Sequence, residues 1–266
     1  MVPIKDLNRE VAQDIRYILM DIDDTITTNG KLPAAAYSAL WKLHNNGFVV
    51  VPVTGRPAGW CDLIARQWPV DGVVGENGAL AFWEEEGHMK RMFHENAVNN
   101  THHTLQEIKE KILLEIPGTR IAGDQFSRMF DIAIDFAEEE PKLSLTVAQK
   151  IKEMCTNMGA IAKVSSIHVN TWMGQYDKLS MAIRFLEKQC NYNDKRDNQQ
   201  VLFFGDSPND EPMFSHFHQS VGVASILDYK EMMKILPTYI TSFKGGEGFS
   251  EGVDTLLSAK GITNYS

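Results

Sequence analysis

The sequence predicts an α/β fold in which a doubly wound parallel sheet carries an inserted α+β domain. Short apolar, strand-like stretches alternate with helical patterns in the first and last parts of the chain, as they do in parallel sheets with helices on both faces. The middle of the chain has strands in which polar and apolar residues alternate, and this is typical of an antiparallel sheet with one wet face.

The first part of the chain has the pattern βαβαβ. Strands are predicted over residues 17–20, 48–53 and 72–74, and helices over residues 34–46 and 59–67 lie between them. This alternation is typical of a doubly wound parallel sheet.

The last part of the chain resumes the same alternation. Strands are predicted over residues 201–204, 220–223 and 239–241, and helices over residues 210–216 and 227–236, with a closing helix after residue 248. We therefore expect the two separated stretches to form one Rossmann-like sheet.

The middle of the chain is predicted to be an inserted cap with its own small core. Helices are expected over residues 100–115 and 143–158, and strands over residues 131–136, 160–164 and 167–172. The predicted core domain is residues 1–83 and 173–266, and the predicted cap domain is residues 84–172.

Composition excludes several classes of protein. The chain has 266 residues, 43% of them hydrophobic, and a net charge of -9, which argues against a nucleic-acid-binding surface. Its longest apolar run is far too short to span a membrane. The three cysteines are far apart and form no metal or disulfide pattern, so a cytoplasmic protein is expected.

The motif Asp21-x-Asp23-x-Thr25 directly follows the first predicted strand. Side chains two apart in an extended segment point the same way, so Asp21 and Asp23 are expected to face one small volume. Two carboxylates held together need a cation or a shared proton. Mg2+ would neutralise them and leave one carboxylate oxygen free to attack an electrophile.

A second acidic motif, residues 205–210, follows the predicted strand at residues 201–204. If this strand and the first one flank the point where the strand order reverses, Asp206 and Asp210 lie opposite Asp21 and Asp23. Four carboxylates would then converge, which is enough to bind an octahedral Mg2+ that keeps waters and a phosphate oxygen.

Two further segments carry groups that suit a phosphate. Thr54, Gly55 and Arg56 follow the second predicted strand, where a hydroxyl and backbone N–H groups could hold phosphate oxygens. Lys178 opens a predicted helix, and its ammonium could offset the negative charge of a nucleophile and a phosphate.

In this order, the motifs resemble those of the haloacid dehalogenase (HAD) superfamily of phosphatases. The insertion resembles the C2-type cap of the Cof-like subfamily IIB, the sugar-phosphatase branch. Residues 75–79 are similar to the Asn-Gly-Ala element that leads into that cap. Asp24 departs from the family pattern, which often has glycine there.

The resemblance implies hydrolysis in two phosphoryl transfers through an aspartyl phosphate. Asp21 would be the nucleophile. Asp23 would act as acid toward the leaving oxygen and then as base for water. Thr54 and Asn209 would bind the phosphate, and Lys178 would position it.

The resemblance also implies Mg2+ as the cofactor. Asp206 would ligate the ion together with Asp21 and the backbone carbonyl of Asp23, and Asp210 would support the ion or its waters. The expected substrate is a small phosphorylated metabolite, such as a sugar phosphate or a phosphorylated glycoside. The candidate substrate-binding residues are Arg56, Asn77, Arg128, His168 and Asn170, although a solvated cap surface explains the last three equally well.

Two alternative functions remain open on the sequence. A phosphosugar mutase of the same superfamily would return the phosphoryl group to another hydroxyl. A receiver-like module, which is not an enzyme, also combines an acidic cluster, a phosphorylated Asp, a Thr and a Lys on a doubly wound sheet. Such a module needs neither the acid/base at Asp23 nor a long cap.

Overall fold

The computed structural model describes residues 1–262. Its strands are β1 (Val2–Pro3), β2 (Tyr17–Met20), β3 (Val49–Pro52), β4 (Val73–Gly75), β5 (Leu80–Glu85), β6 (His88–Phe93), β7 (Arg120–Ile121), β8 (Asp131–Asp135), β9 (Ile161–Val164), β10 (His168–Trp172), β11 (Val201–Gly205), β12 (Gln219–Gly222) and β13 (Tyr239–Ile240). Its helices are α1 (Arg9–Asp14), α2 (Ala34–Asn45), α3 (Ala58–Gln67), α4 (His103–Glu115), α5 (Leu145–Asn157), α6 (Lys178–Gln189), α7 (Asp194–Asp197), α8 (Glu211–His216) and α9 (Gly245–Ala259).

Six parallel strands form the central sheet, in the order β1-β13-β12-β11-β2-β3. β2 pairs with β11 from Tyr17 opposite Val201 to Met20 opposite Phe204. The chain leaves β2 toward β3 on one side and returns through β11 on the other, so the strand order reverses between β2 and β11. This arrangement confirms the predicted α/β fold and brings both acidic motifs to the reversal point, where ligands bind in such sheets.

Alternate residues of β2 pack into two apolar layers. Ile18 and Met20 belong to the layer that includes α2 and α9, whereas Leu19 belongs to the layer that includes α6 and α8. Because both faces of the sheet are covered, all four residues of β2 are buried and apolar. The sheet therefore gives the residues at its carboxyl edge a rigid base.

The middle of the chain forms a four-stranded antiparallel sheet in the order β7-β8-β10-β9. The apolar side chains of β8 and β10 pack on α4 and α5. The expectation of a wet opposite face is wrong, because Asp131, Asp135, His168 and Asn170 are all buried there. Most of the polar residues that alternate with apolar ones in β8 and β10 are paired with other polar groups of the protein instead of facing water.

A three-stranded antiparallel sheet, β4-β5-β6, was not expected. β4, the expected third parallel strand, is not part of the six-stranded sheet, and it meets the end of β3 at an isolated parallel bridge between Val53 and Val74. Glu84 and Glu85 end β5, and Glu86 and Gly87 form the tip of the β5–β6 hairpin. The domain limits at residues 83–84 and 172–173 stay a prediction.

Two helix expectations near the C-terminus need correction. Residues 224–232 form a 3-10 helix instead of an α-helix over residues 227–236, and only its first three residues are buried. The closing helix, expected after residue 248, instead begins at Gly245 and includes Gly246, and these two glycines are the first residues of α9. They are needed there because a side chain at either position would collide with the 26–28 backbone or its neighbours.

Within residues 1–262, no helix has the length and apolar character needed to cross a membrane.

We expect Gly78→Ala to destabilise the protein by at least about 3 kcal/mol. Gly78 has φ +103°, and a Cβ atom there would overlap the carbonyl group of Asp177. Gly87→Ala is the matched control, because Gly87 also has positive φ but has open space around it, so the expected loss is about 1 kcal/mol. Urea unfolding of both variants measures the difference, and equal losses would contradict the proposed close approach.

Candidate active site

The two acidic motifs meet at the carboxyl ends of β2 and β11. The backbone N–H of Asp21 donates to the carbonyl of Phe204 over 2.9 Å, which extends the pairing of the two strands by one residue. Asp206 follows β11 in the same way. One carboxylate oxygen from each of Asp21, Asp206 and Asp210 lies within 4.8 Å of the others, and all three residues are buried.

Asp23 does not join this cluster. Four carboxylates were expected to converge, but only three of those four do. The Asp23 carboxylate instead accepts hydrogen bonds from Arg56 Nε and Nη2, at distances of 2.7–3.1 Å. The reason is local, because β2 ends at Met20 and residues 23–26 form a turn. The two-residue period of a strand no longer applies to them.

Lys178 is the cation of the cluster. Its Nζ lies 2.9 Å from Asp21 Oδ1 and 2.8 Å from Asp210 Oδ1, and its side chain is 3% exposed. α6 begins at Lys178, and Asp177 caps this helix by accepting a hydrogen bond from the N–H of Ser180. Burial lowers the pKa of the ammonium, but the two carboxylates outweigh it and raise the pKa overall. Lys178 therefore stays charged.

One ammonium does not neutralise three buried carboxylates. Burial, with Asp210 and Asp21 nearby, raises the pKa of Asp206 well above its usual range. Burial also raises the pKa of Asp21 to about 7, against the opposing effect of Lys178. Thr25 Oγ1 donates to Asp206 Oδ1 over 3.0 Å, but within residues 1–262 no group hydrogen-bonds to the buried Asp206 Oδ2. These residues fit a divalent cation.

Asp210 organises the loop that carries this site. Its Oδ2 accepts hydrogen bonds from the backbone N–H groups of Asp206 at 3.1 Å and Ser207 at 3.4 Å. Close contact with Asp210 explains Gly205, since a Cβ there would lie 2.6 Å from Oδ2. Asn209 is held by Ser207, whose hydroxyl donates to Asn209 Oδ1 over 2.8 Å.

Thr54 lies just beyond β3 and is fully buried. Its hydroxyl oxygen accepts a hydrogen bond from the backbone N–H of Arg56 over 3.0 Å, and its carbonyl accepts one from the N–H of Asn77. The loop that carries Thr54 is therefore tied to the segment between β4 and β5. Its predicted role toward phosphate stays a prediction.

Arg56 joins the first acidic motif to the inserted segment with the four-stranded antiparallel sheet. Besides Asp23, its guanidinium binds Asp124 at 3.1 Å and Glu138 at 2.9 Å, and it stacks on Trp60. Burial opposes the charge, but the three carboxylates raise the pKa of Arg56 overall. Every hydrogen bond that the structure shows from the guanidinium of Arg56 goes to a carboxylate, which leaves this cation well neutralised.

The other candidate substrate-binding residues lie in a buried polar junction. Asn77 Nδ2 donates to Asp131 at 3.1 Å, and Arg128 Nη1 binds Asp131 at 2.9 Å and the carbonyl of Gly55 at 2.8 Å. Asn170 is buried beside Gly55. Of the five candidates, only Arg56 lines the cavity that contains Asp23.

His168 contacts Glu138, and Glu138 lines the same cavity. Glu138 was not among the residues predicted from the sequence. His168 Nε2 lies 2.8 Å from Glu138 Oε2. This contact, with help from Arg56, lowers the pKa of Glu138 to about 2. Glu138 lies in a run of three glutamates, which looks like an ordinary solvated turn, so no sequence signal separated it from its neighbours.

Glu76 is a second buried group that the sequence did not predict. Its carboxylate accepts hydrogen bonds from the backbone N–H groups of Ala58, Met129 and Phe130 at 2.7–3.1 Å. Burial and the nearby Asp131 raise the pKa of Glu76 to about 7. Glu76 thus connects the start of α3 to the segment before β8.

Two cavities lie against the turn that follows the first acidic motif, and both are lined by Asp24. One, of about 240 Å³, lies between the 23–30 turn and the segments around Glu138 and Ser166. The other, of about 350 Å³, includes Asp206 and Tyr229. A larger groove, of about 890 Å³, runs along α9 on the outside of the sheet and contains none of the predicted site residues.

The sequence matches the family model of the haloacid dehalogenase-like hydrolases over residues 18–140 and 124–228. A phosphoglycolate phosphatase of Methanobrevibacter smithii is 26% identical over 251 residues, which cover 92% of this chain and 99% of that protein. Family membership together with this relative supports the predicted enzyme class, a phosphatase.

Solved structures share the fold. A protein from Thermoplasma acidophilum has a TM-score of 0.69 at 17% identity, covering 94% of this chain and 99% of its own. A sugar phosphatase of HAD subclass IIB has a TM-score of 0.61 at 13% identity, covering 93% of this chain and 100% of its own. The matched residues include the whole acidic cluster, and the chain belongs to the haloacid dehalogenase-like hydrolases, as its motifs predicted.

Proposed function

We propose that the protein is a Mg2+-dependent phosphatase that hydrolyses a small phosphorylated metabolite through an aspartyl phosphate at Asp21. The observation that carries this proposal is the buried cluster of Asp21, Asp206 and Asp210 around Lys178 at the reversal point of the sheet. The cluster holds a nucleophile, a fixed cation and an unpaired carboxylate oxygen in one small volume. Phosphoryl transfer depends mainly on such positioning and charge neutralisation.

The residues that would hold Mg2+ are Asp21, Asp206 and Asp210, with the backbone carbonyl of Asp23. The unpaired Asp206 Oδ2 and the raised pKa values of Asp206 and Asp21 support this assignment. When bound, the ion supplies positive charge that offsets the carboxylates and the phosphate. Asp210 contributes more to positioning, because its oxygens already bind Lys178 and two backbone N–H groups.

In the first step, an oxygen of Asp21 forms a bond to phosphorus while the bond from phosphorus to the leaving oxygen breaks. For this step Asp23 must be protonated and released from its pairing with Arg56, and it then gives its proton to that leaving oxygen. In the second step, Asp23 takes a proton from water, whose oxygen bonds to phosphorus and releases Asp21. Lys178 holds Asp21 in place for both steps, while Thr54 and Asn209 bind the phosphate.

We propose a sugar phosphate or a phosphorylated glycoside as the substrate. The cavity of about 240 Å³ beside Asp23 is lined mainly by polar and charged groups, among them Arg56, Glu138 and Ser166. Such a lining suits a leaving group that carries several hydroxyls. The structural likeness to a sugar phosphatase supports the same substrate class.

A mutase of the same superfamily is the alternative reaction. Hydrolysis predicts steady release of phosphate from a monophosphate without any bisphosphate activator. Isomerised product that forms only in the presence of a bisphosphate would favour the mutase.

We expect Asp21→Asn to lower phosphate release at least about a thousandfold, because an amide is a poor nucleophile toward phosphorus. The assay follows phosphate release with Mg2+ across a panel of phosphorylated sugars. Asp62→Asn is the control, since Asp62 lies on the exposed side of α3 and pairs only with Arg66 and Arg91 among the described residues. Full activity in Asp21→Asn would exclude Asp21 as the nucleophile.

We expect Asp206→Asn to abolish detectable Mg2+ binding by titration calorimetry and to lower activity in parallel, because the substitution removes the unpaired anionic oxygen. The amide can still accept a hydrogen bond from Thr25, so folding is expected to survive, which circular dichroism checks. Wild-type affinity for Mg2+ in this variant would rule out Asp206 as a ligand.

A further inference from the structure

We infer that Asp24 determines specificity: its carboxylate favours leaving groups that carry hydroxyls and disfavours leaving groups that carry a carboxylate. This inference rests on the proposed phosphatase function and deepens it. Asp24 stands between Asp23 and Thr25 of the first acidic motif, at a position where the haloacid dehalogenase superfamily often has glycine.

Asp24 lies where a leaving group must be. It directly follows Asp23, the proposed acid toward the leaving oxygen, and it lines both the cavity that contains Asp23 and the cavity that contains Asp206. Ser166, on the turn between β9 and β10, closes the smaller cavity opposite the 23–30 turn. A group bonded to the leaving oxygen therefore passes close to the Asp24 carboxylate.

The backbone holds Asp24 in a conformation that would suit glycine better. Its φ is +55°, in the left-handed region. Its N–H donates to Thr27 Oγ1 at 3.0 Å, and its carbonyl accepts a hydrogen bond from Ser225 Oγ at 3.3 Å. Two hydrogen bonds thus hold the backbone of Asp24 in this conformation, and the residue has a side chain despite the backbone cost, as is common at functional sites.

The charges around the smaller cavity favour donors over anions. Asp23, Asp24 and Glu138 line it on the acidic side, and Arg56 and Lys142 on the basic side. Arg56, however, is already shared by Asp23, Glu138 and Asp124. Lys142 is exposed to solvent, where its charge is screened.

A leaving group therefore meets an excess of negative charge. Hydroxyl groups can donate hydrogen bonds to Asp24, whereas a carboxylate is repelled by it. Because the related archaeal enzyme is named for phosphoglycolate, a phosphate ester with a carboxylate, this inference separates the present chain from that relative.

The test compares two substrates that differ in one group. Phosphoglycolate ends in a carboxylate, and 2-hydroxyethyl phosphate ends in a hydroxyl at the same position. We expect the wild-type enzyme to favour 2-hydroxyethyl phosphate in kcat/KM. In Asp24→Asn this preference should fall by about tenfold, the effect expected of removing one like charge at close range.

The matched control is Glu86→Gln. Glu86 also has a left-handed backbone, with φ +53°, and Glu86→Gln removes the same charge as Asp24→Asn. Glu86, however, lies at the exposed tip of the β5–β6 hairpin. Its preference should match that of the wild type. Asp24→Gly, which suits the backbone, keeps the test valid if the asparagine variant folds poorly.

The outcomes separate the inference from the proposed function. If both compounds release phosphate and the preference is unchanged in Asp24→Asn and Asp24→Gly, the inference is wrong while the function stands. An equal loss of activity toward both substrates also contradicts a role in specificity. If neither these compounds nor the panel of phosphorylated sugars releases phosphate, the proposed function itself fails.

Discussion

The buried ammonium of Lys178 is the interaction on which the site depends. Asp21 and Asp210 are both withdrawn from water, and a buried carboxylate without a partner is strongly unfavourable. Lys178 lies within 2.9 Å of each of them, so it fixes the nucleophile and the loop after β11 with one group. Replacing Lys178 would leave two buried like charges facing each other, which links the stability of the site to its chemistry.

A second ionic network joins the catalytic edge to the inserted segment. Arg56 connects Asp23 to Glu138 and Asp124, while Glu76 and Arg128 connect the loops after β3 and β4 to the segment before β8. The proposed acid/base Asp23 is therefore held by Arg56, and Arg56 is in turn held by Asp124 and Glu138 of the inserted segment. This network explains why the polar face of the antiparallel sheet is buried instead of wet.

Much of this arrangement followed from the sequence. The alternation of strands and helices predicted the parallel sheet, and the apolar runs before Asp21 and Asp206 placed the two motifs at one edge. The direction of Asp23 could not be predicted, because the strand ends three residues before it and a turn decides its orientation. Glu138 and Glu76 could not be predicted either. Their partners lie far away in the sequence, and only tertiary packing brings them together.

The central claim is that Asp21 carries the phosphoryl group, and trapping that intermediate tests it most directly. The enzyme with Mg2+ and a phosphorylated sugar that it hydrolyses would be quenched in acid during a single turnover and reduced with borohydride, which converts an acyl phosphate to an alcohol. Peptide mass spectrometry should then find homoserine at position 21, dependent on substrate. Reduction at another carboxylate, or substrate turnover with Asp21 never modified, would contradict the account.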